Sequence, residues 1–160
     1  MTDINIIAIN PGSTSTKIAV FQNNKSIYEE NIKHSTEELE PYEKITDQFA
    51  FRKAAILERL NNLDLDPARV KVIMGRGGMV KPIPSGVYRV NDALIKDLID
   101  PAYGEHASNL GGLIAHDLAK EYPGAEAFIT DPVVVDEMEN IARISGHPVF
   151  TRKSVFIRVE

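Results

Sequence analysis

The stretch Ile4-Asn5-Ile6-Ile7-Ala8-Ile9 is a β-branched run closed by Asn10-Pro11-Gly12-Ser13-Thr14, and Lys17-Ile18-Ala19-Val20-Phe21 resumes the apolar pattern before Asn23-Asn24. Such a run, a turn and a second run predict two strands joined by a tight connection. Beyond the asparagines, Ser26 to His34 alternates Ile27 and Ile32 with polar neighbours, which suits a third antiparallel strand with one solvated face. Three consecutive strands make a meander. From Pro41 to Leu63 the apolar residues Ile45, Phe49, Ile56 and Leu60 recur at helical intervals, predicting a long helix, in one or two pieces. Val70 to Met74 is a buried-type strand running into Gly75-Arg76-Gly77-Gly78. Asn91 is placed to cap a helix that Pro101 stops, and Leu110, Leu113, Ile114 and Leu118 mark another. Ala125 to Thr130 is a last short strand, and Pro132 at a first helical position predicts a helix from Val133 to Ile144. The order β-β-β-α-β-α-α-β-α predicts an α/β fold, a mixed sheet of five strands with helices packed on it.

Composition bounds the rest. The 160 residues carry 18 Lys+Arg against 23 Asp+Glu, a net charge of −5, with 43% hydrophobic and 26% charged residues. Chains of this size bury roughly 70% of the surface they expose when unfolded, enough for one core. Disorder along the whole chain is excluded. The absence of cysteine excludes disulfides, thiolate metal sites and a cysteine nucleophile. The start Met1-Thr2-Asp3 lacks the basic residues and long apolar run of a secretory signal, so a cytoplasmic location is the expectation. No apolar run approaches the ~20 residues that cross a bilayer, and the dispersed basic residues leave no footprint for nucleic acid.

Four places can carry chemistry. Asn10 to Lys17 combines one glycine, several hydroxyls and a lysine, which suits an anion held by backbone N–H groups and hydroxyls with Lys17 nearby. It is no Walker A loop, because Thr16 rather than glycine precedes Lys17 and a strand follows. A plain polar hairpin turn explains the same residues. Arg76, flanked by Gly75, Gly77 and Gly78 at a strand exit, offers a fork for a carboxylate or phosphate, with glycines that let a substrate approach; a solvated arginine is the alternative. His106, in Glu105-His106-Ala107-Ser108-Asn109, opens a predicted helix and can donate to a phosphoryl group, or it is structural. Asp131 can hold Mg2+ through water or orient an arginine, or simply begin a helix ahead of Pro132. All four lie at strand ends or helix starts and are expected to face one crevice.

The strings Asn10 to Lys17, Gly75 to Pro84, Glu105 to Gly111, Thr130 to Glu137 and Ala142 to Pro148 resemble the acetokinase family, and within it the butyrate kinase branch. The resemblance covers residues 1–156. It implies the ribonuclease-H-like fold of actin-like ATPases, with helices on both sheet faces, and transfer of a phosphoryl group between ATP and a short-chain carboxylate. Asn10, Ser13, Ser15 and Lys17 match the family's phosphate-facing turn. Arg76, His106 and Asp131 match its catalytic arginine, histidine and aspartate, and Gly77, Gly78 and Asn109 are expected on the substrate side. ATP or ADP and Mg2+ are the implied cofactors. Family members are roughly twice as long, so residues 1–156 are expected to be a first actin-like domain, 157–160 a divergent tail, and the second domain missing. Apolar surface left by a missing domain favours self-association. An idle domain of this fold, serving as a binding or interaction module, is the competing expectation.

Overall fold

The meander forms as expected: β1 (Asn5–Pro11), β2 (Ser15–Gln22) and β3 (Lys25–Lys33) are antiparallel neighbours. The structure, a computed structural model, describes residues 3–102 and 104–154; the expected tail at 157–160 lies outside them. β4 (Val70–Arg76) runs parallel to β1, and β6 (Glu126–Thr130) runs parallel to β4. The sheet has six strands rather than five, in the order β3-β2-β1-β4-β6-β5. The added strand, β5 (Val87–Arg89), pairs antiparallel with β6. Three residues are too few for an alternating pattern to register.

Side-chain parity divides the sheet. Ile7 and Ile9, Ile18 and Val20, Ile73, and Ala127 and Ile129 share one face and one core with Ile56 and Leu60 of α2 (Phe49–Asn61) and with Leu110, Ile114 and Leu118 of α4 (Asn109–Leu118). The expected long helix thus begins as a 3-10 turn, Thr46–Gln48, that leads into α2, preceded by the short capped helix α1 (Thr36–Leu39). Asn91 caps α3 (Asp92–Ile99), its side chain accepting the Leu94 N–H at 2.9 Å. No helix among the described residues is long and apolar enough to cross a membrane.

Helices on both faces were expected. Among the described residues α2 and α4 join the core of one face, and the segment after β6 is no helix from Val133 to Ile144. It holds one 3-10 turn, Asn140–Arg143. Val133 and Val134 instead pack with Met79, Val80 and Leu98 in a second apolar cluster, and Val135 bridges to Ile83. Three successive valines favour extended backbone. Asp136 then grips Arg143 through two hydrogen bonds of 2.9 and 3.0 Å, fixing the non-helical path.

Helix α4 lies directly on β4. A Cβ on Gly75 would sit 2.3 Å from the Gly111 carbonyl oxygen, and one on Gly111 would sit 2.4 Å from that of Arg76. Gly111→Ala therefore opposes two effects: alanine favours helix by about 1 kcal/mol over glycine, while a side chain forced between two backbones costs about 1–3 kcal/mol or more. The clash here is with backbone, which cannot rotate away. We expect Gly111→Ala to lower stability by about 2 kcal/mol in urea unfolding; an unchanged or raised midpoint would show that α4 can stand off from β4.

Candidate active site

The face opposite α2 and α4 opens on a cavity of about 970 Å³. Its wall is built by register. Lys17 pairs with Asn10 on one side and Asn31 on the other, Arg76 pairs with Thr130, and extending the β1–β4 register by one residue sets Asn10 beside Arg76. A row of polar side chains, Asn31, Lys17, Asn10, Arg76 and Thr130, thus crosses five strands near the C-terminal ends of β1, β4 and β6. Behind it lies a second row, Glu29, Ala19, Ala8 and Met74, which also lines the cavity. Asn10, Lys17, Arg76 and Asp131 all line the cavity. Asn31 and Thr130 were not singled out from the sequence, because nothing but strand register brings them into line.

Ser13 and Ser15 belong to the turn between β1 and β2, at the end of this row. The turn is held from inside by Arg52, a fully buried residue of α2 with no local signal in the sequence to mark it. Its Nη1 donates to the carbonyls of Gly12 (2.8 Å) and Ser15 (3.0 Å) and to Thr16 Oγ1 (3.0 Å), its Nη2 donates to the Ser13 carbonyl (3.0 Å), and its Nε donates to Gln48 Oε1 (2.9 Å). Thr16 Oγ1, already accepting from Arg52, has its own proton to give to Nε2 of buried His34 at 2.9 Å. Burial, then the nearby Arg52 charge, hold His34 below the ordinary histidine value.

His106 precedes α4 rather than opening it: the helix starts at Asn109, whose N–H donates to the His106 carbonyl at 2.9 Å. The Gly75–Gly111 contact brings this turn to the end of β4. Burial first, and the charge of Arg76 second, hold the His106 imidazole below its ordinary value. Nδ1 accepts the Ser108 N–H at 3.2 Å, so the neutral ring carries its proton on Nε2.

The three residues expected on the substrate side are packed against the protein itself. Asn109 is buried and its amide serves the protein itself, Oδ1 accepting the Met79 N–H at 2.8 Å and Nδ2 donating to the Leu98 carbonyl at 3.2 Å. A Cβ on Gly77 would lie 2.6 Å from Pro132, and one on Gly78 would lie 2.7 Å from Asn109. These glycines let neighbouring chain approach closely.

Asp131 follows β6 in a left-handed conformation, φ 43°, its N–H donating to the Gly86 carbonyl. Aspartate tolerates this better than most residues. Among the described residues no group of three or more His, Asp and Glu side chains gathers to hold a metal. One exposed carboxylate on the cavity wall does fit Mg2+, which keeps several waters and binds mainly through phosphates with one or two carboxylates.

No protein-family model matches the chain. Among curated proteins, butyrate kinase 2 of Clostridium acetobutylicum is 53% identical over 151 residues, 94% of this chain and 42% of that protein. Butyrate kinase 1 of the same organism is 48% identical over the same shares, and a probable butyrate kinase of Clostridium botulinum is 50% identical. The chain is homologous to butyrate kinases. It spans about two-fifths of the length of these relatives. Among solved structures, acetate kinase of Porphyromonas gingivalis aligns over 91% of this butyrate kinase homologue and 41% of its own chain, with a TM-score of 0.57 and 12% identity. Acetate kinase of Entamoeba histolytica aligns over 91% of this chain and 39% of its own, with a TM-score of 0.52 and 14% identity. At these identities the likeness establishes the fold alone, the one these acetate kinases share.

The two depressed histidines give the homologue a defined pH response. Both favour the neutral form when folded, so their contribution to stability is complete above the ordinary value of 6.5 and is lost as pH falls below it, where the unfolded chain takes up protons first. Protonating His34 would also leave the Thr16 hydroxyl between two donors. The urea midpoint is expected to fall between about pH 7.5 and about pH 5.5, above the range where carboxylates titrate, and to fall less in His34→Gln. Equal slopes in both proteins would remove His34 from this account.

Proposed function

We propose that the chain forms the phosphate-handling part of a kinase that moves the γ-phosphoryl group of ATP to the carboxylate of butyrate or a similar short acid, giving an acyl phosphate and ADP. The observation that carries this reading is Arg76. It stands half-buried on the cavity wall, and among the described residues its side chain makes no hydrogen bond or ion pair, whereas Lys53, Arg59, Arg89 and Arg143 each meet a carboxylate. A guanidinium with five donors turned to a cavity suits an anionic ligand.

The acid is ionised at neutral pH and needs no general base. Its oxygen attacks the γ-phosphorus in line, the bond to the bridging oxygen of the β-phosphate breaks, and the electron pair leaves with ADP. What the protein supplies is alignment and positive charge. Arg76 clamps the acid or the transferring group, and His106, neutral with its ring proton on Nε2, is a donor beside it. Asn10, Ser13, Ser15, Lys17 and the turn amides take the phosphates. Asp131 would hold a water of phosphate-bound Mg2+, which supplies further charge neutralisation. The homology to butyrate kinases supports the reaction type.

The test is a chimera in which this chain replaces the homologous segment of C. acetobutylicum butyrate kinase 2. Butyrate-dependent hydroxamate formation from MgATP is expected in the chimera and not with the 160 residues alone. Arg76→Ala in the chimera should lower kcat about a hundredfold or more, with a smaller change in the KM for ATP. A folded but inactive chimera would overturn the proposal, as would unchanged turnover in Arg76→Ala.

A further inference from the structure

We propose that Arg52 is the positioning residue of the anion-binding turn, fixing its amides outward and charging it from behind. The inference rests on the reading of residues 12–16 as a phosphate-facing turn, and deepens it. Arg52 belongs to another element, α2, and reaches no ligand itself.

The geometry follows from the planarity of the peptide unit. In a trans peptide the N–H points opposite to the C=O. Arg52 gathers the Gly12 and Ser13 carbonyls on its own side, so the N–H groups that share those peptide planes, of Ser13 and Thr14, point away from it. Both residues are exposed, and neither N–H donates a hydrogen bond among the described residues. Two successive outward amides form a concavity suited to an anionic oxygen. A turn of one glycine and several hydroxyls has many other conformations, and the fork of Arg52, itself oriented by Gln48, selects this one.

The charge points the same way. Arg52 is 0% exposed, and among the described residues no carboxylate pairs with it. A buried cation usually has such a partner. Here carbonyl and hydroxyl oxygens solvate the guanidinium, and these dipoles leave its net charge in place beneath the turn. Burial reduces solvent screening, so an anion above the turn feels that charge more than it would feel a surface lysine.

The experiment titrates the 160-residue chain with inorganic pyrophosphate and follows backbone amide shifts by NMR. Saturable shifts are expected at Ser13 and Thr14. Arg52→Met should weaken binding about tenfold or more, and Arg52→Lys, which keeps the charge but not the fork, should fall between. The gap between Arg52→Met and the parent should narrow at high salt. Ile56→Ala, in the same helix but away from the turn, controls for lost stability and should bind as the parent does. If Arg52→Met does not fold, Gln48→Met keeps the charge, frees the fork and should still weaken binding measurably. Parent-like binding by Arg52→Met, or by Gln48→Met in its place, would overturn the proposal. So would an equal loss in Ile56→Ala, or shifts confined to residues other than the turn. Turn binding that depends on Arg52 in a protein whose chimera makes no acyl phosphate would sink the kinase reading and leave Arg52 its role.

Discussion

Helix α4 rests on β4 at backbone distance, and the site depends on that contact. The pair Gly75 and Gly111 removes the layer of side chains that normally separates a helix from a sheet. Two consequences follow. The turn ahead of α4 is drawn to the end of β4, where the Arg76 charge reaches His106. The loop after β4 must also turn at once, and it does so by packing Gly77 on Pro132 and Gly78 on Asn109, with Asn109 stitching Met79 to Leu98. The glycines in Gly75-Arg76-Gly77-Gly78 thus serve internal packing, and the arginine among them is the residue left facing the cavity.

The same sheet serves a core and a site because its side chains alternate. Ile7, Ile9, Ile18 and Ile73 go to the helix side, and Asn10, Lys17 and Arg76, each one residue away in sequence from a core position or its neighbour, go to the cavity. A register slip of one residue would bury Lys17 and expose Ile18. The apolar face therefore holds the polar row in alignment, which makes stability of the core and geometry of the site one property.

Elements whose signal is local were legible in the sequence. The meander, the strand Val70 to Met74 and the Asn91 cap each need only a few neighbouring residues to declare themselves. What escaped depends on distant partners. β5 exists because Thr130 and Phe128 offer it an edge, and Val133 to Val135 stay extended because Ile83 and the Asp136–Arg143 pair hold them. Arg52 went unmarked because the carbonyls it serves lie about forty residues earlier in the chain. For the site, Asn10, Lys17, Arg76 and Asp131 do meet in one cavity. Ser13, Ser15, His106 and Asn109 are not among its lining residues, and a single sequence does not reveal that both ends of the Asn109 amide are taken.

Charge placement is the remaining physical constraint. The chain carries a net −5, yet Lys17, Arg52 and Arg76 gather around the turn and the cavity with no ion pair among the described residues. Elsewhere the cations are paired directly, as Lys53 is by Asp117 and Arg143 by Asp136. Lys17 and Arg76 instead share the cavity wall with Glu29, Glu30 and Asp131 without an ion pair to any of them, and Arg52 lies buried on the helix side of the turn. An anion bound on that wall would meet donors that no side chain has already claimed. On the proposed phosphate-handling role, these donors would favour the more highly charged ligand, and salt that screens the charges would weaken that preference.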